Sequence, residues 1–315
     1  MSTAIALRAH RHLLRPVAPK EIGGLFSFHY FKDASLGEFL GKLERNGHRP
    51  EVFTDSGGFS AFSQGVTVDL EDYARWLLRW RSALDHYANL DVIGDPRASL
   101  RNLLRLEQRG LRPLPVLHVG TDPEEIRRYK ARGYPYLCLG GMVPHLTAMS
   151  ASLRAGNASP ALDWVRACHL MAAEEGVTLH GFGATNLPVM AGFPWRSVDS
   201  SSWAAGFRFG NVTTFDPVAG KWVNLVLRET QGIMAQAALL RFYGVDPLSL
   251  VRDGADSRVT MITLTARSYL VCLRWLRQRP GARQDLQLYL ADAVAHGKDG
   301  RVYSLAFSRS PEWVD

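Results

Sequence analysis

Short apolar segments of strand length alternate along the chain with amphipathic segments of helical length, and this alternation is the strongest constraint on its fold. The candidate strands read GLFSFHYF near residue 24, EVFTD near 51, NLDVIGD near 89, RPLPVLHVG near 112, YPYLCLGG near 134, VTLHGFGA near 177 and WRSVDSS near 195. Between them lie LEDYARWLLRWRSALD, ASLRNLLRLEQRG, DPEEIRRYKARG and ALDWVRACHLMAAEEG, which carry apolar residues at helical spacing. Repeated β-then-α units of this kind imply a parallel sheet.

Seven or eight such units in one chain predict an α/β fold, and they favour an irregular (β/α)8 TIM barrel over an open doubly wound sheet. No GxGxxG motif opens a helix after a first strand, which argues against a dinucleotide-binding domain. The first unit is the least defined, and its strand either comes from TAIALRAH or is missing.

After about residue 228 the pattern changes to helical segments, which read RETQGIMAQAALLRFYG, VTMITLTARSYLVCLRWLRQR and DLQLYLADAVAHG. No Ser/Gly-rich linker and no internal repeat separates them from the preceding units. We therefore expect a single domain over residues 1–315, with a barrel core over 20–230 and additional C-terminal helices over 231–315 packed on it.

Composition excludes several classes of protein. The 315 residues are 46% hydrophobic, which is enough for a sizeable core. No apolar run approaches the ~20 residues that span a bilayer, and Arg and His interrupt the first residues too often for a secretory signal, so we expect a cytoplasmic protein. Cys138, Cys168 and Cys272 are far apart in apolar or helical segments, which is typical of reduced core thiols. We expect no metal site and no cofactor.

The net charge of +7 comes mainly from arginine. Arginine binds phosphate groups bidentately, so this charge is compatible with a nucleic-acid partner. A genome rich in arginine codons explains the same composition, and charge alone does not separate the two interpretations.

The segment TDSGGFSAF at 54–62 places an acid and two glycines directly after a candidate strand. Glycine allows positive φ angles and a close approach of other groups, so Asp55 is expected at a strand end beside open space. An Asx turn that only begins a loop has the same signature.

Other candidate strands end in the same way. In barrels the catalytic residues lie at the carboxyl ends of the strands, so we expect three acids to converge there. Each acid could instead begin a turn or cap a helix, and a lone histidine is often a hydrogen-bonded structural residue. The strand-end residues are Asp55, Asp95 in VIGDP, His118 in VLHVG, Gly140 and Gly141 in LGGM, Gly183 in GFGATN and Asp199 in SVDSSSW.

Five of these motifs occur in an order that resembles the tRNA-guanine transglycosylases. They are DSGGF at 55–59, VIGDP at 92–96, LGGM at 139–142, GFG at 181–183 and VDSSSW at 198–203, and DSGGF is the most specific. The resemblance covers residues 20–230 and implies an irregular (β/α)8 barrel that exchanges a guanine for a 7-deazaguanine.

The resemblance implies that Asp199 is the nucleophile and that Asp55 is the general acid and base. A carboxylate beside C1′ of the sugar can stabilise an oxocarbenium-like transition state and form a glycosyl ester, as in retaining glycosidases. A second carboxyl group has to protonate the departing base and deprotonate the incoming one. The base-binding residues implied by the same resemblance are Ser56, Phe59, Asp95, His118, Gly140, Gly141, Met142 and Gly183.

The chain also departs from the family pattern. It lacks the CxCxxC and histidine zinc site, and His118 stands where the family has a glutamine. The segment VPHLTA after LGGM carries no acid, so a neutral base such as 7-cyano-7-deazaguanine (preQ0) is more plausible than the cationic aminomethyl form.

Loss of the zinc element and of any appended RNA-binding domain suggests DNA as the substrate, as in the phage and bacterial DNA transglycosylases of the DpdA type. The target guanine would then have to leave the base stack. Exchange in tRNA, a non-catalytic nucleic-acid-binding barrel and a barrel lyase on a small metabolite remain alternatives. Candidate phosphate contacts are Arg196, Arg208, Arg267, Arg274 and Arg277, although a solvated helix face explains the last three equally well.

Overall fold

The computed structural model describes residues 3–33, 35–45, 49–58, 65–204, 210–227, 229–251, 255–291, 294–296 and 302–304. Its centre is a parallel sheet of eight strands in the order β3-β2-β1-β10-β7-β6-β5-β4. These strands are β1 (Gly23–Ser27), β2 (Glu51–Asp55), β3 (His86–Tyr87), β4 (Val116–His118), β5 (Tyr136–Gly140), β6 (Thr178–Gly181), β7 (Ser197–Ser200) and β10 (Gln287–Ala291). The α/β fold and the parallel sheet predicted from the alternation are confirmed.

The sheet is curled so strongly that its two outermost strands approach each other. Ala88, directly after β3, forms a parallel bridge with Leu114, which precedes β4. Two backbone hydrogen bonds hold this bridge, from the Asn89 N–H to the Leu114 carbonyl and from the Leu114 N–H to the Tyr87 carbonyl, both at 2.8 Å. The arrangement is compatible with a TIM-type barrel.

Each face of the sheet carries its own apolar cluster, as expected for parallel strands covered on both sides. On the concave face, Phe53 from β2 packs edge-on against Tyr289 from β10, with ring centroids 5.2 Å apart. The other members of this inner cluster are Leu25, Ala88, Val116, Cys138 and Ala291. The larger cluster joins the convex face to the helices, and it contains Cys168 and Cys272. All three cysteines are buried and free, as predicted.

The helices that follow the strands have clear start and stop signals. The Asp69 side chain caps the helix Leu70–Trp80 by accepting from the Asp72 N–H. Ser159 caps Pro160–Glu175, which ends at Gly176 with a φ of 62°. The α-helices are α1 (Thr3–Arg8), α2 (Phe28–Phe31), α3 (Leu36–Arg45), α4 (Leu70–Trp80), α5 (Pro96–Gln108), α6 (Glu125–Ala131), α7 (Leu146–Ala155), α8 (Pro160–Glu175), α9 (Leu187–Gly192), α10 (Thr230–Ala235), α11 (Ala237–Phe242), α12 (Pro247–Val251) and α13 (Ala255–Arg277).

Two short hairpins and several 3-10 turns complete the described elements. Strands β8 (Asn211–Asp216) and β9 (Lys221–Val226) pair antiparallel, as do β11 (Val294–His296) and β12 (Val302–Ser304). The 3-10 turns are Arg11–Leu14, Arg81–Ala83, Val143–His145 and Ser202–Ala204. The first hairpin lies within the range expected to be part of the barrel core, and no sequence pattern had predicted it.

The C-terminal part corrects the sequence prediction. The segment DLQLYLADAVAHG was expected to be helical, but Gln287–Ala291 forms β10, which pairs with β1 on one side and with β7 on the other. Range 231–315 is therefore not a helical addition packed on the sheet, because it supplies one of the eight central strands. The segment TAIALRAH contributes α1 and no strand.

One further strand lies elsewhere than predicted. The segment NLDVIGD was expected to be a strand near residue 89, whereas β3 covers His86–Tyr87 and pairs with β2. Residues 92–94 form an exposed turn instead. Because β3 ends at Tyr87, the first acid after this strand is Asp91 and not Asp95.

A buried ion pair ties the N-terminal segment to α13. The guanidinium of Arg274 donates to Glu21 through two nitrogens, at 2.8 and 2.7 Å, and both side chains are 3% exposed. The same guanidinium donates to the carbonyls of Leu13, Arg15 and Pro16. Burial opposes ionisation of Glu21, but the bonds from Arg274 and the Ala18 N–H, together with the charges of Arg274 and Arg15, outweigh it and lower the pKa of this carboxyl. The expected phosphate contact at Arg274 is therefore wrong, because its donors are used inside the fold.

We predict that Arg274→Leu lowers the free energy of unfolding by about 3–5 kcal/mol, because it leaves the Glu21 carboxylate buried without its main partner. Urea unfolding monitored by tryptophan fluorescence measures this. Arg241→Leu, an exposed change in the last turn of α11, is the matched control and should stay within about 0.5 kcal/mol of the original protein. Equal stability of the two variants would contradict a structural role for Arg274.

Candidate active site

Three aspartates surround the interior of the sheet near its carboxyl end. Burial raises the pKa of the Cys138 thiol in β5 well above its usual value, and the nearby charges of Asp91, Asp199 and Asp55 raise it further. The buried Tyr73 phenol responds in the same way to burial, Asp55 and Asp91. Since side chains alternate along a strand, Asp55 faces the same side as Phe53 of the inner cluster. Asp55, Asp91 and Asp199 thus all lie around the Cys138 thiol.

Asp199 is a buried carboxylate with two polar neighbours. It is 6% exposed, and its Oδ1 accepts from the Gly183 N–H at 2.8 Å. Gly183 has a φ of +66°, and a Cβ at this position would lie 2.6 Å from the Val143 side chain. Glycine is therefore required for the backbone to reach the carboxylate. The second neighbour is His180, whose Nε2 lies 3.3 Å from Oδ1.

His180 is part of a buried chain of polar groups beneath Asp199. Its Nδ1 lies 2.6 Å from the Ser197 Oγ, which in turn lies 2.5 Å from the Tyr136 hydroxyl. Burial lowers the pKa of His180, although Asp199 opposes this shift, so the imidazole is neutral. If the ring proton is on Nε2, beside the Asp199 carboxylate, Nδ1 accepts from Ser197 and Ser197 accepts from Tyr136. Sequence analysis missed His180, although a histidine at an inward position of an apolar strand was a visible signal.

The DSGG segment forms a tight turn at the end of β2. Asp55 pairs in register with Ser27 of β1. Gly57 has a φ of +70°, and a Cβ there would lie 2.4 Å from both the Ser27 Oγ and the His29 Cβ. The buried Ser56 accepts from the Gly58 N–H at 3.2 Å. The glycines thus let the chain turn against β1 directly after Asp55, while Phe59 lies outside the described residues.

Asp91 and His118 form a close pair beside Asp55. The His118 Nε2 lies 2.6 Å from the Asp91 Oδ2, and the two side chains are 17% and 18% exposed. Gly140 leaves room for the imidazole, because a Cβ there would lie 3.4 Å from Nε2. Gly141 has a φ of +73° and is exposed, whereas Gly140 and Met142 are buried, so Gly141 is the member of this segment that a ligand can reach.

Asp95, the acid expected in this place, has a different position. It is the N-cap of α5, where its Oδ1 accepts from the Ala98 N–H at 2.9 Å, and half of its side chain is exposed. The helix cap that the sequence left open as an alternative is what the structure shows. The acid at the site is Asp91, because β3 ends at Tyr87.

The remaining predicted arginines do not line the acid cluster. Arg196 precedes β7 at the amino end of the sheet and donates to the Asp285 carbonyl at 2.6 Å. Arg267 donates to the Tyr243 carbonyl, and Arg277 to the Leu286 carbonyl. Each of these side chains is only partly buried and places one guanidinium nitrogen on a main-chain carbonyl, so their phosphate contacts, unlike that of Arg274, stay predictions. Arg208 lies outside the described residues.

Two further properties concern the described part of the chain only. Within it, no group of three or more His, Cys, Asp or Glu side chains is placed to hold a metal ion. Among the helices described, none is long and apolar enough to cross a membrane.

No model of a known protein family matches the chain, and no curated protein matches it either. The activity has to be inferred from the chain's own residues and their geometry.

We predict that the neutral His180 imidazole carries its proton on Nε2. Two-dimensional 15N NMR of the histidine rings should show this tautomer at about pH 7 and above, because burial lowers the pKa of His180 from its ordinary value. The His180→Gln variant identifies the signal by its loss. A proton on Nδ1, or titration of this ring near pH 6.5, would exclude the proposed polar chain.

Proposed function

We propose that the protein is a base-exchange glycosyltransferase that replaces a guanine in DNA with a 7-deazaguanine through a covalent aspartyl-glycosyl intermediate. The observation that supports it most is that Asp55 and Asp199 both lie around the Cys138 thiol inside the curled sheet, and that the Gly183 N–H holds one oxygen of Asp199. Two carboxyl groups with different environments suit a reaction that needs a nucleophile and a separate acid.

The fold in this proposal is an irregular (β/α)8 barrel, and β10 is its eighth strand. The strand order supports closure, because β1 to β3 and β4 to β7 each pair in chain order and β10 joins β1 to β7. The bridge from Ala88 to Leu114 would join β3 to β4. In such a barrel the carboxyl ends of the strands carry the active site, which is where the three acids lie.

The chemistry proceeds in two displacements. Gly183 holds Oδ1 of Asp199, so Oδ2 is the oxygen that forms a bond to C1′ while the bond from C1′ to N9 of guanine breaks. Asp55, protonated at the start, gives its proton to the departing guanine. Asp55 then takes the N9 proton of the incoming base, and N9 displaces Asp199 from C1′. The two inversions give overall retention, as in retaining glycosidases.

We assign recognition of the base to the pair of Asp91 and His118 and to the exposed backbone of Gly141. A carboxylate accepts hydrogen bonds from the adjacent N–H donors of a guanine-like edge. Asp91 lies at the site and can supply this carboxylate, whereas Asp95 caps α5. The 3-10 turn Val143–His145 after Met142 carries no acid. A cationic aminomethyl base would lack a partner there, so preQ0 is the proposed substrate.

DNA is the proposed polymer, and the target nucleotide has to rotate out of the stack before C1′ can reach Asp199. A tRNA substrate would use the same acids. Incubating the protein with labelled guanine and either duplex DNA or tRNA separates the two, because label enters only the true substrate.

We predict that Asp199→Asn and Asp55→Asn lower the rate of base exchange by about 10²-fold or more, since each removes a group that bonds or transfers a proton in the reaction. Mass spectrometry of nucleosides after incubation with DNA and preQ0 measures the rate. Asp95→Asn is the matched control, because this helix cap should retain exchange. Normal exchange by Asp199→Asn would rule out the covalent mechanism.

A further inference from the structure

A groove runs outward from the acid cluster between α5 and α6. Its volume is about 950 Å³, and His118 and Gly141 belong both to its lining and to the site. Small-molecule pockets span roughly 300–1,000 Å³, so this groove offers more room than a single base needs. His118, which pairs with Asp91, therefore connects the groove to the acid cluster.

The groove has exposed aliphatic walls. Val92 and Ile93, in the turn after Asp91, are 37% and 39% exposed, and Leu100 and Leu104 on α5 are each 36% exposed. Leu100 and Leu104 are one helical turn apart on the face of α5 that lines the groove. Water-exposed aliphatic side chains gathered in one groove mark it as a contact surface.

The charges around the groove are mainly positive. Arg97 on α5, Arg128 on α6 and Arg132 directly after α6 line it, with the exposed His145 near the site. Glu125 is the acid among these lining residues and pairs with Arg128, whereas Arg132 pairs with Glu107. Arg97 is exposed and has no ion pair with any residue that the structure describes. An anionic ligand with apolar faces fits this lining, and a cationic one does not.

We infer that the groove binds the nucleic-acid strand next to the target nucleotide, with phosphates at the arginines and bases or sugars against the aliphatic walls. This inference rests on the proposed function, because the acids fix where the target nucleotide lies. Arginine is suited to phosphate, and aliphatic side chains contact splayed bases in many nucleic-acid complexes. An acidic peptide is also negatively charged, but it carries no base that would bind at Asp91 and His118 at the end of the groove.

The test measures binding of a fluorescent DNA duplex by anisotropy over about 50–200 mM salt. Arg97→Ala should weaken binding and reduce the salt slope by about 1, as expected for one lost phosphate contact. Leu104→Glu should weaken binding more, because it places a negative charge in the groove. The matched controls are Arg154→Ala, exposed at the end of α7, and Leu170→Glu, 68% exposed on α8.

Affinity for free preQ0, measured by calorimetry, should be unchanged in all four variants. If Arg97→Ala and Leu104→Glu bind duplex like the controls while the unmodified protein still exchanges bases, the groove inference is wrong and the proposed function stands. If the unmodified protein neither binds duplex nor exchanges bases into it, both are wrong. Equal weakening by the controls would also overturn the inference, since the effect would not be specific to the groove.

Discussion

Every second residue of a curled parallel strand points into the space that the sheet encloses, and a charge can stay there only if partners reach it. At the amino end of the sheet, Glu51 points into this space and has hydrogen-bond partners for both carboxylate oxygens. Its carboxylate accepts from His86 at 3.0 Å and from Gln287 and Tyr289 at 2.9 Å. Burial alone would raise the pKa of Glu51, but the bonds from His86 and Tyr289 lower it. This single carboxylate ties β2, β3 and β10 together.

The carboxyl end meets the same condition in a different way. Asp199 is held from one side by the Gly183 N–H and the His180 ring, and Asp91 by His118. No arginine or lysine forms an ion pair with Asp91 or Asp199 among the described residues. Histidine and backbone partners fix the orientation of a carboxylate without covering it by a bulky cation, which leaves these acids available to a ligand. In parallel barrels one end is typically devoted to stability and the other to chemistry, and the proposed function assigns the two sets of acids in that way.

Much of this arrangement could be predicted from the sequence, because strand ends and glycines are local signals. Asp55, His118 and Asp199 lie at strand ends as expected. Asp91 was missed because the sequence does not fix where a two-residue strand stops. The sequence predicts a helix where β10 lies, although Leu286, Leu288 and Leu290 alternate with a period of two and are all buried. Strand β10 has five residues and follows the 23 residues of α13, so its short alternation is a weak local signal beside a long helical pattern.

The arginines show what no local signal could supply. The buried Arg274 pairs with Glu21, which lies 253 positions away in the chain. The sequence pattern within α13 does not distinguish Arg274 from an exposed arginine. A net charge of +7 therefore does not by itself identify a nucleic-acid surface, since part of it is used inside the fold. What distinguishes Arg97 is its position: it is exposed, lines a groove with Leu100 and Leu104, and shares that groove with His118 of the site. Position relative to the acids, rather than the number of arginines, is what connects the charge of this chain to its proposed substrate.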